Sequence, residues 1–430
     1  IKMKNKIKEE ILKKIKSKKI NIGIIGIGYV GLNLLIQFAK KKIKVYGFDN
    51  DEDKINTLKK SVSPISYIKD KTILDINKYT EYEVNYKNIE KCDVIIVCLP
   101  TPLDNKKNPD LSHIKVAILR IKKFLRIGQM VILESTSYPG TTNETITQKL
   151  QNFNIGKNFF IGYSPERENP GSNDYKFSEI PKIISGHTNN CLEIANALYR
   201  IVVKKTVKAN QIEVAETSKI FENVYRSVNI ALVNELKFVL KKMNIDINEV
   251  IDLAKTKPFG FSEFRPGPGV GGHCIPIDPL YLSWIAEKNG YKSEFIRLAA
   301  QVNLDTTEKI YKIIKKKVLK KKVEPILIVG LAYKKNIEDT RESAGLKFFQ
   351  KFLKEKFKID FLDDWVKKIE IKNKTYESIN LDYKKLKKYS AVIICSDHDL
   401  YDYKKILKYS KIIIDLRNRY NIKNTKIIKI

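Results

Sequence analysis

The sequence predicts an α/β protein: two doubly wound halves joined by one long central helix. Three observations carry that expectation. Between Asn21 and Gly140, short β-rich apolar runs alternate with helical stretches, the signature of βαβ units and a parallel sheet. From Gln211 to about Met243 there is neither Gly nor Pro, and apolar residues recur at helical spacing. A second apolar run ending in glycine, Pro325-Ile326-Leu327-Ile328-Val329-Gly330, opens a smaller α/β section. With 430 residues and 43% hydrophobic content the chain can bury sizeable cores, which excludes a disordered or collagenous class.

Residues 1–20 form a basic amphipathic stretch without the apolar core of a signal peptide. A plain N-terminal helix is expected there, with a helix lying on a membrane surface as the alternative. No apolar run is long enough for a transmembrane span. Residues 21–209 then read as one domain, with strands at Ile22–Gly26, Lys44–Phe48, Val94–Leu99 and Met130–Ser135, extended by Phe159–Tyr163 and Lys182–Ser185. Residues 210–315 read as a central helical domain. Its leading helix, with Ile220, Val224, Val228, Ala231, Leu232, Leu236, Val239 and Leu240 in period, would be about 50 Å long. Such helices bridge domains or form dimer interfaces. A Gly/Pro-rich loop, Phe259 to Pro279, follows it. The Lys-rich stretch Lys315–Lys322 marks the junction to residues 316–430, with further strands at Ile359–Leu362, Ala391–Cys395 and Lys411–Asp415.

Three motifs carry chemistry. Gly26-Ile27-Gly28-Tyr29-Val30-Gly31 follows a strand, opens a helix, and precedes a second strand ending in Asp49. That context makes it a Rossmann-like dinucleotide fingerprint: glycines for the turn, the pyrophosphate approach and the helix packing, and an acid for the adenosine ribose. Asp49 would repel a 2′-phosphate, which favours NAD over NADP, while Lys54 offsets part of that repulsion. The second motif, Pro266 to Asp278, presents Cys274 on a glycine-rich loop with a carboxylate four residues on, a better setting for a nucleophile than for an inert core thiol. His273 and Cys274 have no further Cys or His at ligand spacing, so no metal is expected. The third is a polar stripe on the long helix: Lys219 and Asn223 one turn apart, flanked by Glu216 and Arg226. A solvated face and a face turned to a wet cavity both fit it.

The charge needs separate weighing. There are 81 Lys+Arg against 49 Asp+Glu, a net charge of +32, but only ten of the basic residues are Arg. Nucleic-acid readers favour the bidentate Arg fork, and these Lys are scattered along the polar sides of Ile-rich segments. A solvated surface is expected and no nucleic-acid partner. Five Cys (92, 98, 191, 274, 395), odd in number and without a CxxC pair, point to free thiols in a reducing, cytoplasmic setting, and the short apolar runs to no stable membrane association.

Taken with the ordered stretches CLPTPLD (Cys98–Asp104), ESTSYPGTT (Glu134–Thr142), SPERENPG (Ser164–Gly171), VAETSKIFENVYRSVNIALVNE (Val214–Glu235), PGPGVGGHCIPIDPLYL (Pro266–Leu282) and GLAYKKNIEDTRES (Gly330–Ser343), the chain resembles the nucleotide-sugar (UDP-glucose/GDP-mannose) 6-dehydrogenase family over roughly Ile20 to Asn418. Its UDP-N-acetylglucosamine (N-acetylhexosamine) branch is the most similar. The resemblance implies two Rossmann-like domains, a homodimer, and NAD-dependent four-electron oxidation of a UDP-sugar to its uronate as a polysaccharide or glycan precursor. It implies Cys274 as nucleophile, Lys219 at the C6 oxyanion, Asn223 holding the same oxyanion or a neighbouring water, Asp278 orienting or activating water, Glu166 as base for thioester hydrolysis, and Thr136 near the reacting carbon. It adds Thr101, Ser135 and Arg341 to Asp49 and Lys54 for the cofactor, and assigns Arg167, Phe264, Gly271, Lys334 and Arg417, with Glu166 and Lys219, to the substrate. Ile277, His273 and Pro170 depart from the UDP-glucose branch and favour an acetamido sugar. UDP-glucose, UDP-N-acetylgalactosamine and UDP-N-acetylmannosamine are the alternative substrates, and a basic nucleotide- or nucleic-acid-binding Rossmann protein is the non-enzyme alternative. Glu263 and Arg265 replace residues usual in the acetamido branch, and Arg265 is a candidate to tune phosphate or sugar recognition.

Overall fold

The run Asn21–Ile25 reads NIGII, and four of its five residues are buried; a strand apolar on both faces belongs inside a sheet covered on both sides. The computed structural model, which describes residues 5–167, 175–318 and 324–430, places it there. The chain divides into two compact units, Ile1–Glu222 with Trp284–Gly290, and Asn223–Ser283 with Tyr291–Ile430.

The first unit holds β1 (Asn21–Ile25), β2 (Lys44–Phe48), β3 (Thr80–Glu83), β4 (Val94–Val97), β5 (Met130–Leu133), β6 (Phe160–Tyr163), β7 (Lys182–Gly186) and β8 (Thr206–Lys208). They form one sheet in the order β3-β2-β1-β4-β5-β6-β7-β8. The order reverses between β1 and β4, and in such sheets a ligand binds outside the carboxyl ends of the strands at that reversal. The parallel pattern expected over Asn21–Gly140 holds, and of the two later strands that extend the sheet β7 runs antiparallel to β6. No α-helix is described in the link between them to carry the crossover that a parallel return requires. The basic N-terminal stretch forms a helix, Lys6–Lys16, capped by the Asn5 side chain. Its Ile11 and Ile15 are buried in the same core as Leu34 and Phe38, so its apolar face is already covered by protein and is not offered to a membrane.

The second unit holds β9 (Ile326–Val329), β10 (Ile359–Leu362), β11 (Lys368–Ile371), β12 (Lys374–Glu377), β13 (Ala391–Ile394), β14 (Ile413–Asp415) and β15 (Ile427–Lys429). Five of them form a parallel sheet, β10-β9-β13-β14-β15, and β11 and β12 make a separate hairpin. Phe348, Phe349 and Phe352 of the helix Ala344–Lys354 pack into its core with Ile326, Ile328 and Ile393, each fully buried ring or chain contributing roughly 2–3 kcal/mol. The long helix runs Ile212–Lys242, within two residues of the sequence expectation, and the division between the units falls inside it. Of the Lys-rich junction, residues 319–323 lie outside the described residues. Among the described residues no helix is long and apolar enough to cross a membrane.

Candidate active site

In the first unit, β1 ends at Ile25 and the turn Gly26-Ile27-Gly28 leads directly into the helix Tyr29–Lys40. Gly31 is required by packing: a Cβ there would lie 1.9 Å from the Gly26 carbonyl oxygen. Gly28 caps the helix without a side chain, no acid stands in the first turn, and a Cβ at Gly28 would meet nothing within 4 Å. The open helix N-terminus therefore offers amide donors and a partial positive charge to an anion, with Tyr29 and Val30 half-buried in that first turn. Asp49 follows β2. Its Oδ2 accepts from the Ile27 N–H (2.8 Å) and Lys54 Nζ (2.9 Å), and its Oδ1 from the Asp51 N–H (3.1 Å). Each carboxylate oxygen has two lone pairs, so Oδ1 keeps one for a ribose hydroxyl. The cradle fits a dinucleotide.

At the ends of β4 and β5, Thr101 Oγ1 donates to the Thr136 carbonyl (2.8 Å) and Ser135 Oγ to the Leu99 carbonyl (2.7 Å). These residues stand at the same sheet edge as the cradle, where Gly26 packs against the Cys98 backbone. Glu166 lies just past β6. Lys182 Nζ donates to Glu166 Oε2 (3.0 Å) and to Glu134 Oε2 (3.0 Å), and the Tyr199 hydroxyl donates to Glu134. Burial pushes the Glu134 carboxyl up to about 7 against the pull of Lys182. Burial opposes ionisation of Glu166 as well, but the Lys182 ammonium and then Lys219 outweigh it and hold that carboxyl below its usual range. Lys219 itself is half-buried. Arg167 donates to the Pro181 carbonyl (2.9 Å) and pairs with Glu222 (2.7 Å). Glu216, also on the long helix, is fully buried and accepts from the Gly140 N–H (2.6 Å), the Thr142 N–H (2.8 Å) and the Thr142 hydroxyl (2.7 Å).

In the second unit, Asn223 is buried and its Nδ2 donates to Asp278 Oδ2 (2.6 Å). Asp278, also buried, opens the helix Asp278–Lys288, and its N–H donates to the Cys274 carbonyl (2.9 Å). The half-buried Cys274 thus sits on a turn that runs into this helix, one turn before Asp278. The loop before it is pressed on Tyr333. Gly272 has φ +80°, its N–H donates to the Arg341 carbonyl (2.8 Å), and a Cβ would come 2.8 Å from the Tyr333 ring; at Gly271 a Cβ would come 2.5 Å from the Tyr333 Cβ. Arg417 donates to the carbonyls of Cys395 (2.7 Å) and Tyr333 (3.0 Å), and Lys334 is half-buried beside Tyr333. Phe264 meets Tyr225 edge-on at 5.7 Å. The Gly267 peptide is clamped from the long helix, its N–H by Asn234 Oδ1 (3.0 Å) and its carbonyl by Lys237 Nζ (3.1 Å). Burial, then Lys241 and Arg417, pull the Lys237 ammonium down to about 7. Neither Lys237 nor Arg417 has a carboxylate in ion-pair range among the described residues, a lining suited to a polyanion.

One expectation changes. Arg265 donates through Nε to Glu263 (2.7 Å) and pairs with Asp252, so its guanidinium is engaged by neighbouring acids, not held out for phosphate. Arg341, in the second unit, forks onto Asp339 through Nε (2.9 Å) and Nη2 (2.6 Å). Pro170 and Gly171 lie outside the described residues. The sequence reading missed Glu134 and Lys182 as members of the site, and Asn234 and Lys237 as its clamp. A signal existed for the lysines: Lys182 heads a buried strand, and Lys237 lies one helical turn from the buried Val233. Among the described residues, no group of three or more His, Cys, Asp or Glu is arranged to hold a metal.

Comparison with known proteins gives this geometry its context. The NAD binding, central and UDP binding domains of the UDP-glucose/GDP-mannose dehydrogenase family match residues 20–203, 213–305 and 327–422. The UDP-N-acetyl-D-glucosamine 6-dehydrogenase of Pseudomonas aeruginosa is 36% identical over 357 residues, 81% of this chain and 84% of its own. The UDP-N-acetyl-D-mannosamine dehydrogenase of Methanocaldococcus jannaschii is 33% identical over 393 residues, 88% of this chain and 86% of its own. The solved UDP-D-ManNAc dehydrogenase of Pyrococcus horikoshii superposes with a TM-score of 0.83 at 29% identity, covering 95% of this chain and 98% of that one. A glycine cradle for a dinucleotide, a cation-lined loop and domain matches along most of the chain lead to one assignment: it belongs to the UDP-glucose/GDP-mannose dehydrogenase family and is an NAD-dependent UDP-sugar dehydrogenase.

Proposed function

We propose that the chain oxidises C6 of a UDP-N-acetylhexosamine, UDP-N-acetylglucosamine first among them, to the uronate through a thioester on Cys274. The observation that carries this reading is the buried Asn223–Asp278 hydrogen bond with Cys274 one turn away. Ile277 and His273, departures from the UDP-glucose branch, support an acetamido sugar, and the relatives named for N-acetylglucosamine and N-acetylmannosamine define the choice to be tested.

NAD, when bound at the Gly26–Gly31 cradle with Asp49, Lys54, Thr101 and Ser135, supplies the hydride acceptor for both oxidations. The Lys219 ammonium and the Asn223 amide stabilise negative charge on the C6 oxygen. Cys274 thiolate adds to the C6 aldehyde: the S–C bond forms and the carbonyl pair moves to oxygen, so the aldehyde is tethered and is not released. Once the thioester has formed, Asp278 orients water and Glu166 takes its proton as the oxygen attacks. The C–S bond breaks and thiolate returns. Thr136 stands beside the reacting carbon. Arg167, Phe264, Gly271, Lys334 and Arg417 hold the nucleotide sugar, and Arg341 steadies the Cys274 loop through its carbonyl as well as serving the cofactor. The working division is residues 21–209, 210–315 and 316–430, the enzyme is a cytoplasmic homodimer, and its product feeds polysaccharide or glycan synthesis.

The test is a panel of UDP-N-acetylglucosamine, UDP-N-acetylmannosamine, UDP-N-acetylgalactosamine and UDP-glucose with NAD⁺. We expect two NADH per sugar consumed on an acetamido sugar, and no acid product from Cys274→Ala. One NADH per sugar, or no turnover on any of the four, would sink the reading.

A further inference from the structure

We propose that Lys182 is a positioning residue for thioester hydrolysis: from the head of β7 it holds Glu166 in place and anionic, while Glu134 accepts a second hydrogen bond from the same ammonium and fixes where it points. This rests on the reading of Glu166 as the hydrolytic base.

The geometry is a shared proton donor between two acids. Lys182 Nζ is 3.0 Å from each carboxylate, and the side chains of Glu134, Lys182 and Glu166 are 0%, 4% and 12% exposed. Burying an ammonium costs several kcal/mol unless it is paired, and an apolar residue would complete the strand without that penalty. Lys182 is therefore an expensive way to build β7 and a direct way to place charge beside Glu166. Lys182 itself resists deprotonation: burial alone would favour the neutral amine, but Glu134 and Glu166 outweigh it. The groups facing the cluster are Tyr199, whose hydroxyl donates to Glu134, Cys98, and Lys219 of the long helix. Glu134 accepts from the same ammonium but, pushed up to about 7, is already protonated where Glu166 titrates.

The two contacts therefore predict different outcomes. In the hydrolytic step water loses a proton to Glu166, its oxygen bonds to the thioester carbon, and the pair of the breaking C–S bond leaves with Cys274; Glu166 must start ionised. Removing the ammonium makes Glu166 easier to protonate. Neutralising Glu134 does not.

The experiment uses full-length enzyme with NAD⁺ and a UDP-sugar that it turns over, reading the acidic limb of kcat against pH together with the intact mass of enzyme quenched during turnover. For Lys182→Met we expect the limb to move up by about one unit or more, with covalent adduct accumulating at low pH. For the near-isosteric Glu134→Gln, whose carboxyl is already protonated in that range, we expect the limb to stay in place, and Lys182→Arg to stay near wild type. Should Lys182→Met fail to fold, the uncharged Lys182→Gln carries the test, with the same upward shift expected. A loss of kcat in the uncharged Lys182 variant, with the limb unmoved, would reduce Lys182 to a structural residue and overturn the proposal. Glu166→Gln separates the two layers. If it traps adduct at every pH while the Lys182→Met limb stays fixed, only this proposal falls; if it traps none and turns over normally, the base assignment falls with it.

Discussion

Glu216 is a carboxylate doing the work of a helix cap from a distant part of the chain. It satisfies the backbone donors of Gly140 and Thr142, at the start of the short helix Thr141–Thr145, where Gly140 has no side chain to do so. Burial pushes its carboxyl from the ordinary 4.5 up to about 7, against the pull of the Thr142 and Gly140 donors. Between those values the folded chain keeps a proton that the unfolded chain has released, so this residue's contribution to stability falls as pH rises through that window. The full swing is roughly 3 kcal/mol. Glu216→Gln should flatten it: melting temperature measured at pH 5 and pH 8 is expected to differ less in the variant than in wild type, and equal differences would refute the assignment. Asp49 was legible in the sequence because its partner motif lies about 20 residues away, within one βαβ unit. The Glu216 cap was not, because its partners lie about 75 residues upstream and only folding brings them together.

The same helix has a second, outward business. Phe221, Tyr225, Leu232, Leu236 and Val239 are 63%, 45%, 54%, 37% and 46% exposed, and the 225, 232, 239 spacing repeats every seven residues, as in a helix-on-helix seam. Apolar side chains left in water at that period fit the homodimer we propose. Leu232→Glu places a charge on the seam; sedimentation is expected to move from twice the chain mass to about that of one 49.8 kDa chain, and a monomeric wild type would end the proposal. The helix was legible because 31 residues without Gly or Pro leave few alternatives. β3 and β8 were not. Thr80–Glu83 and Thr206–Lys208 are short and half-polar, and only neighbouring strands make them part of a sheet.

Across the whole molecule the net charge of +32 is carried chiefly by Lys on solvated faces, where single ion pairs contribute little. What the surplus does is set a field. Both proposed ligands are polyanions, so a positive surface raises their encounter rate, and the gain shrinks as salt screens it. We expect kcat/KM for the UDP-sugar to fall as ionic strength rises from about 0.01 M to 0.3 M, while kcat changes less. A flat kcat/KM would leave the charge without a part in catalysis. The cations we propose for specificity are few: Lys219 near Glu166, and Lys237 and Arg417 around Gly267.

By itself the sequence determined the α/β class, the dinucleotide turn, the long helix and the glycine-rich loop that carries Cys274, since each is written in residues close along the chain. Local sterics explain why: glycine where a backbone must approach, apolar runs where a strand is covered on both faces. Only the tertiary structure decided that Lys182 stands between Glu134 and Glu166, that Glu216 turns inward as a cap, that Arg265 is engaged by neighbouring acids, and that β7 runs antiparallel to β6. Those outcomes depend on which charges meet after the strands and helices have packed. A charge's partner is a matter of space, and spacing along the chain does not encode it.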